Sequence, residues 1–399
     1  MNRRHDIDAL RALAFSLLIL YHLAMLYVFE WGWHIKSSYL SEALQFPMLF
    51  VNRWRMDLIF LISGISTAFL MQTLAKRGGT ANFLSQRTWR LMLPLLFGMT
   101  VVVPVQPYCQ GVANGLVEPG FLQFIGRYYS GYPWPAKAFD GWKHGFTWNH
   151  LWYLAYLWCY TVLLVVLQKP LASKAGQKLR STFLHFRSWR LLVWPAVPLL
   201  LYTATLQSSF PQNNALTKDW YAHALYFTVF LYGWWLGSDE GIWAELSRLR
   251  RQSLVVALIA FSLYMLVRAF SEDDSPPHVY LLVWTLRNLY IWTALCTILG
   301  WGYVMLNRPF RWLPWATQAV YPWYILHQSL IVLLAFWLVP MKLGPVVEPL
   351  LVGFGTVAGC WLITSGLVKR NQWLRACFGL KPIPRSDQAE TAPSQPVHQ

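Results

Sequence analysis

The chain has 399 residues, of which 56% are hydrophobic and only 13% are charged. A soluble domain usually carries about 25% charged residues, so the composition excludes an ordinary soluble enzyme or binding module. A formal net charge of +16 would suit a nucleic-acid-binding protein. The basic residues, however, lie in short connections between apolar segments, which argues against nucleic acid and indicates a protein of the lipid bilayer.

Apolar runs of about 20 residues, the length that crosses a bilayer, recur along the chain. Ten of them are predicted as membrane helices, at residues 9–29, 46–74, 91–105, 149–167, 191–206, 220–236, 253–270, 278–304, 315–338 and 347–368. The first run is too long for a signal peptide, and no small-residue cleavage site follows it. The expected fold is therefore an all-α polytopic membrane bundle of about ten transmembrane helices.

The connections alternate in charge along the chain. Lys and Arg are concentrated before the first span, in the even-numbered connections and after the last span. The second connection, for example, contains Lys76 and Arg77, whereas the seventh carries the acidic run 272–274. Basic connections stay in the cytoplasm, so both termini are predicted to be cytoplasmic, as in a bacterial-type inner-membrane protein. Residues 1–385 would form the membrane domain, and the polar tail 386–399 is expected to be disordered.

The five cysteines are scattered, and most of them fall in or near apolar segments. Their spacing matches neither a metal site nor a disulfide framework. We therefore expect buried thiols and neither a bound metal nor a bound cofactor.

The first span has the most informative polar residues. Arg11 and His22 are separated by ten residues, which corresponds to about 16 Å of helix rise. With Arg11 at the cytoplasmic boundary, His22 would lie near the middle of the bilayer. A neutral imidazole there can act as a general base. The alternative is a histidine that only forms a hydrogen bond between helices.

Other ionisable residues within the spans are also candidates, because burying them in a membrane is costly. Asp57 needs a partner and could pair with Arg55 or orient a histidine, although a structural ion pair is equally compatible with the pattern. Arg287 and His327 are predicted to lie deep, with His327 at about the depth of His22. His150 falls near an outer helix end, where it is a candidate for acceptor binding, although interfacial hydrogen bonding would also explain it.

Two further patterns indicate binding surfaces. Arg87 and Arg90 share one helix face on the side of Arg11, and guanidinium groups suit phosphate. Their alternative role is simple topology-setting charge. On the opposite side, connection 106–148 is rich in Trp and Tyr. Trp134 and Trp142, with Trp152 at the start of the next span, could stack on sugar rings, or they could form an interfacial aromatic belt.

Taken together, several motifs resemble the acyltransferase-3 family of membrane proteins. They run in order over about residues 5–335: Arg11 and His22, Asp57 through Ser63-Gly64, Arg87-x-x-Arg90, His150-Leu-Trp152-Tyr153-Leu, and the ninth predicted helix through Tyr324 and His327. The Arg-Trp-Arg-Met stretch at 53–56 and the His-Leu-Trp motif are most similar to the glucans biosynthesis protein C branch. That branch is associated with succinylation of periplasmic glucans.

The resemblance implies that His22 is catalytic and that Arg11, Arg87 and Arg90 serve an acyl-CoA site. It also implies transfer of an acyl group, such as succinyl or acetyl, from cytoplasmic acyl-CoA to a hydroxyl of an extracytoplasmic carbohydrate. Arg287 or His327 could stabilise the oxyanion. Two other functions remain open from the residues. One is a transporter of an anionic or sugar-like solute, and the other is a non-catalytic membrane scaffold or sensor.

Overall fold

The computed structural model describes residues 3–75, 79–272 and 275–383. Within these ranges the fold is helical, with one isolated β-bridge between Val28 and Ser41 and no strands. The predicted all-α class is therefore confirmed. Lys76, Arg77, Asp273 and Asp274 of the charge pattern, the boundary at residue 385 and the tail 386–399 lie outside the described residues.

The helices are numbered in chain order. They are α1 His5–Ala24, α2 Gln45–Ala75, α3 Gly79–Phe97, α4 Val105–Ala113, α5 Phe121–Tyr129, α6 Trp152–Val166, α7 Gln168–Ala172, α8 Lys174–Leu184, α9 Trp189–Val193, α10 Ala196–Leu206, α11 Trp220–Leu236, α12 Gly241–Ala269, α13 Pro277–Leu306, α14 Leu313–Leu338, α15 Val347–Leu362 and α16 Gln372–Cys377. Short 3-10 turns occupy Glu42–Leu44, Asn149–Leu151 and Val339–Met341, and π-helical segments occupy Gly98–Val102 and Ile363–Val368.

Nine helical segments in the described part of the chain are long and apolar enough to cross a membrane. The predicted sixth span is the exception. It forms α11 with the predicted bounds, but α11 has only 17 residues and rises about 26 Å, less than the roughly 30 Å of a bilayer core. All ten predicted segments contain a helix, and nine of them lie in helical segments long enough for a full span.

The third predicted span is longer than the sequence indicated. It was expected to end at residue 105, but the helical segment continues from Gly79 to Ala113 through the π-helical turn at Gly98–Val102. The sequence places the end of this span before Gln106 and Gln110, because polar residues normally mark the end of an apolar run. Both are buried in the fold and face other polar side chains rather than water.

α1 packs against α2, α13 and α14. α14 in turn packs against α4 and α15, and α12 packs along α13. These contacts bring the middle of α1, the N-terminal part of α2, the start of α6 and the middle of α14 around a common interior. That interior contains the polar residues described below.

α2 and α11 are held together by an unusually close backbone contact. A Cβ atom added to Gly64 would lie 2.0 Å from the carbonyl oxygen of Phe230, and one added to Gly233 would lie 2.0 Å from that of Leu61. Small residues permit such close approach of membrane helices. The pair Ser63-Gly64 therefore has a packing function, and it fixes the side of α2 that faces the interior.

We predict that Gly64→Val prevents normal folding, because the added side chain cannot fit against the Phe230 carbonyl. Overpacking typically costs about 1–3 kcal/mol and occasionally more, and a backbone carbonyl has little freedom to move away. The measurement is thermal unfolding and size-exclusion elution of the detergent-solubilised protein. Gly126→Ala is the control, since nothing lies within 4 Å of its added Cβ. A Gly64→Val protein with the wild-type melting temperature would contradict the prediction.

Candidate active site

Two cavities lie one above the other along α1. The first, which we call the histidine cavity, has a volume of about 720 Å³ and is lined by His22, His150, Asp57, Arg287 and neighbouring residues. The second, which we call the basic cavity, has a volume of about 1440 Å³ and is lined by Arg11, Arg87, Arg90 and others. Most of the residues predicted to carry chemistry therefore line one of these two spaces.

A single face of α1 connects the cavities. Arg11, Phe15, Leu18 and His22 follow one another at intervals of four, three and four residues, which places them on the same side of a helix. Arg11 lines the basic cavity, Leu18 and His22 line the histidine cavity, and Phe15 lines both. The helical period alone thus aligns the predicted base with the predicted donor site.

His22 is held by His327 across the α1–α14 contact. Nδ1 of His22 lies 2.8 Å from Nε2 of His327, and the two rings are coplanar, with an interplanar angle of 1°. His327 is fully buried. The sequence indicated only that these residues lie at similar depths, whereas the structure joins them directly.

The neighbouring carbonyls assign the tautomers of this pair. Nδ1 of His327 lies 3.0 Å from the carbonyl oxygen of Trp323 and 2.8 Å from that of Tyr324. A carbonyl only accepts, so Nδ1 of His327 carries the hydrogen and its Nε2 accepts one from His22. The remaining nitrogen of neutral His22, Nε2, then has a free lone pair. Among the described residues it has no hydrogen-bond partner, and His22 faces the histidine cavity.

His150 packs on the other side of His327, with ring centroids 5.1 Å apart. Its Nε2 donates to the carbonyl oxygen of Ile325, and its Nδ1 accepts from the amide of Gln106. Sequence reasoning placed His150 at an outer helix end with interfacial hydrogen bonds. In the structure it is buried, and its bonds are internal.

Gln106 is the centre of a buried polar network. Its amide nitrogen contacts His150 and donates to Ser329 at 2.8 Å, and its amide oxygen accepts from Asn149 at 2.9 Å and Gln328 at 3.0 Å. Every hydrogen-bonding group of the side chain is therefore used, as a buried amide requires. Sequence reasoning missed this residue, although a glutamine directly after an apolar run was a usable signal.

The network continues to the mouth of the histidine cavity through His34. Gln328 donates to Nε2 of His34 at 2.9 Å, and Nδ1 of His34 lies 2.8 Å from the Gln110 amide oxygen and 3.0 Å from the Asp140 carboxylate. The hydrogen bond from His34 lowers the pKa of Asp140. Asp140 thus remains ionised and holds His34 in one tautomer. Neither residue was recognised from the sequence.

Three arginines give the histidine cavity a positive wall. The guanidinium of Arg55 lies over the ring of Tyr21 at 3.5 Å, and that of Arg53 lies 5.5 Å from the Tyr264 ring centroid. Arg287 donates to Tyr221 and, at 3.4 Å, to Gln207. The expected pair of Asp57 with Arg55 is not formed, since Arg55 stacks on Tyr21 instead.

Several polar atoms of this wall are buried without a partner in the described part of the chain. They are Nε of Arg53, Nε and Nη1 of Arg55, Nε of Arg287 and Oδ1 of Asp57. Buried charged groups normally have partners. With three guanidinium groups and one carboxylate, the wall has the chemistry of an anion-binding surface.

The basic cavity is also rich in positive charge. Among its described lining residues, seven are basic and three are acidic. Arg11 donates to Ser66 and lies 3.7 Å from the Asp8 carboxylate, and Arg87 contacts Thr67 at 3.5 Å. Arg90 is exposed on the same cavity wall. The three predicted arginines therefore do come together, as a partly fixed and partly open surface.

The family model described as an acyltransferase domain (acyltransferase-3) matches residues 4–365. The chain belongs to the acyltransferase-3 family. The matched region includes every residue that lines the histidine cavity. Together with the apolar helices, the match identifies a multi-pass membrane acyltransferase. It does not distinguish the glucans biosynthesis protein C branch from the rest of the family.

No curated protein and no solved structure matches the chain of this acyltransferase at a significant level.

The predicted aromatic residues divide into two groups in the acyltransferase. Trp152 lines the histidine cavity beside His150. Trp134 is buried in a separate cluster with Phe124 and Phe139, and neither it nor Trp142 lines the cavity. Connection 106–148 therefore has its own small aromatic core. A contact of Trp134 or Trp142 with a substrate stays a prediction.

No metal site is evident in the described ranges, where no group of three or more His, Cys, Asp and Glu side chains could hold an ion. His34, His150 and His327 use both ring nitrogens in hydrogen bonds to other side chains and to backbone carbonyls.

We predict that Gln106→Leu destabilises the acyltransferase, because the side chains of His150, Ser329, Asn149 and Gln328 each lose one hydrogen bond. Each buried donor or acceptor that loses its hydrogen bond lowers the free energy of unfolding by about 1–3 kcal/mol. Thermal unfolding in detergent should therefore show a clearly lower melting temperature than the wild type. Gln86→Leu, on an exposed helix face, is the control and should change the melting temperature little. Equal melting temperatures for the two variants would exclude a stabilising network.

Proposed function

We propose that this protein is an inner-membrane O-acyltransferase that moves an acyl group from cytoplasmic acyl-CoA to a hydroxyl of an extracytoplasmic carbohydrate. The observation that carries the proposal is the free Nε2 lone pair of His22, which is oriented by His327 and faces the histidine cavity. A histidine can act as a general base when a hydrogen bond holds one ring nitrogen, here Nδ1, and the other, here Nε2, is open to the substrate.

In the proposed reaction, Nε2 of His22 removes the proton of the acceptor hydroxyl while the oxygen attacks the thioester carbonyl carbon. The tetrahedral intermediate then collapses, the C–S bond breaks, and the new ester C–O bond remains. The imidazolium of His22 returns the proton to the departing CoA sulfur. The base is thereby restored, and no further reactant is required.

His327 would act as a positioning residue. The imidazolium formed on His22 donates a stronger, charge-assisted hydrogen bond to Nε2 of His327 than the neutral ring does. Both nitrogens of His327 are used in the resting tautomers, so His327 is poorly suited to bind the oxyanion. Arg287, which lines the same cavity, remains the candidate for that role. Asp57 lines the same cavity, and its Oδ1 has no partner among the described residues.

The basic cavity would bind the donor. Its arginines, above all Arg11, Arg87 and Arg90, offer charge and directed hydrogen bonds to the phosphates of CoA. We place this cavity on the cytoplasmic side, because the basic connections lie on the side of Arg11. The thioester arm would then extend along the α1 face towards His22.

The acceptor would enter from the opposite side, where Trp148, Asn149 and Trp152 line the histidine cavity. The flat face of Trp152 can pack against the apolar C–H surface of a sugar ring. The side-chain amide of Asn149 adds a hydrogen-bonding group to this part of the cavity lining. This mixture of aromatic and polar groups supports a carbohydrate acceptor.

The arginine wall favours a donor whose acyl group carries a carboxylate, such as succinyl, over acetyl. Arg55 stacks on Tyr21, the residue next to His22, and has two buried N–H groups without a partner in the described part of the chain. A terminal carboxylate held there would satisfy these groups while the thioester carbonyl lies near His22. An acetyl group has no atom that could do so.

We expect His22→Ala to abolish acyl transfer, because no other base in the cavity has a free lone pair in the same place. Loss of a general base typically lowers the rate by about 10²- to 10⁴-fold. His327→Ala should have a smaller effect, since the base remains but loses its orientation. The measurement is mass spectrometry of cell-envelope glycans and lipids from cells with each variant, which also identifies the transferred group and the acceptor.

His185→Ala serves as the control, because His185 is exposed and lines neither cavity, and this variant should retain transfer. Wild-type product levels in His22→Ala cells would refute the base role. A wild-type protein that moves a solute across vesicles without consuming acyl-CoA would instead be a transporter. A scaffold would show neither activity.

Arg55→Met should lower transfer from succinyl-CoA more strongly than transfer from acetyl-CoA. A hydrogen bond to a charged group contributes about 1.5–3 kcal/mol, so the succinyl rate should fall by roughly ten- to a hundredfold. The measurement is CoA release with each donor by the reconstituted protein. Arg251→Met, exposed on α12, is the matched control. Equal losses for both donors would show that Arg55 does not recognise a carboxylate.

A further inference from the structure

A partition of three aromatic rings separates the two cavities. Among the described residues, Phe15, Tyr153 and Tyr324 line both the basic cavity and the histidine cavity. They come from three different helices, α1, α6 and α14. All three side chains are buried. They lie between the two cavities, since each of them lines both.

The three rings pack against one another edge to face. The centroid of Phe15 lies 5.2 Å from that of Tyr324 and 6.2 Å from that of Tyr153, and the two tyrosine centroids are 5.9 Å apart. The interplanar angles are 77°, 68° and 87°. This is the favoured geometry for aromatic pairs, so the partition is a packed contact rather than a chance approach.

The members of the partition differ in how firmly they are held. The hydroxyl of Tyr153 lies 2.5 Å from that of Ser63, and the hydroxyl of Tyr324 donates to the His150 carbonyl at 2.5 Å. Phe15 has no polar group and is held by ring contacts alone. A phenylalanine on a helix has two accessible χ1 rotamers, so its ring can move without breaking a hydrogen bond.

We propose that Phe15 is the movable gate between the two cavities and that its ring limits the size of the acyl group that reaches His22. The size limit rests on the proposed acyl-transfer function, whereas the gate does not. Tyr153 and Tyr324 form the fixed sides of the passage. Phe15 lies one turn beyond Arg11 and two turns before His22, on the face that a donor arm would follow.

The gate would also keep the two cavities separate until the ring moves. With the ring in place, water in the histidine cavity is kept from the basic cavity, and the donor reaches His22 only when Phe15 swings aside. Removal of the ring should therefore have two consequences. Larger acyl groups should pass, and small solutes should cross from one cavity to the other.

The first test measures solute passage and needs no catalysis. A cysteine is introduced at Met25, which lines the histidine cavity, after the two half-buried cysteines, Cys159 and Cys377, are replaced by serine. A small anionic thiosulfonate reagent is then added to vesicles at the face onto which the basic cavity opens. We expect slow labelling with Phe15 present and at least tenfold faster labelling with Phe15→Ala.

Two controls define this experiment. A cysteine at Thr73, exposed in the basic cavity, should react rapidly in every background and confirms the orientation of the vesicles. Phe261→Ala removes the same atoms from a buried phenylalanine that lines neither cavity, and should leave Met25→Cys labelling slow. Where Phe15→Ala does not fold, Phe15→Leu should give an intermediate rate. Equal labelling with and without the Phe15 ring would overturn the gate.

The second test measures donor size. The reconstituted protein receives a cell-envelope glycan extract with acetyl-, butyryl- or hexanoyl-CoA, and CoA release is followed. Phe15→Ala should raise the ratio of hexanoyl to acetyl turnover at least tenfold, and Phe261→Ala should leave the ratio unchanged. An unchanged ratio in Phe15→Ala would overturn the size limit. A wild type that consumes no acyl-CoA would contradict the proposed function, and the labelling test would still decide the gate.

Discussion

The hydrogen bond between His22 and His327 is the interaction on which the proposed chemistry depends. It joins α1 to α14 in the interior of the bundle, and it leaves one nitrogen of His22 free. Two backbone carbonyls of α14 fix the tautomer of His327, and this in turn fixes the tautomer of His22. A base is thus prepared by neutral groups, without burying a charge in the resting protein, which a membrane interior would penalise.

The surrounding network serves the same requirement. Buried amides and histidines are tolerated only when their donors and acceptors are paired. Gln106 achieves this for its own side chain and for His150, and Gln328 continues the chain of bonds to His34. Close backbone packing of α2 against α11, through Gly64 and Gly233, brings the arginine-bearing segment of α2 to the same interior. Polar pairing and tight packing therefore support one cavity.

The arginine wall is the exception to this rule, because several of its N–H groups have no partner in the described part of the chain. Unpaired charge is expensive, so it is expected where a ligand provides the missing acceptors. The aromatic partition also combines fixed and free groups. Hydrogen bonds hold the hydroxyls of Tyr153 and Tyr324, whereas Phe15 has no polar group to be held. In both places the groups left free are the ones that would meet a substrate.

The membrane class, the approximate helices and the alignment of Arg11 with His22 could all be predicted from the amino-acid sequence. Those features follow from apolar length and from the 3.6-residue period, both of which are local. The sequence also marked His327, Arg87 and Arg90, because ionisable groups in or beside a span are conspicuous. It misjudged the end of the third span, since Gln106 and Gln110 look exposed when their partners are unknown.

Which of these residues meet depends on how the helices pack in the folded protein. The bond from His22 to His327, the contact of Arg55 with Tyr21 and the aromatic partition each join different helices. Such contacts depend on helix rotation and packing, which composition and periodicity do not specify. The sequence therefore named most of the reactive groups, and the packing of α1 against α14 determined how they can act together.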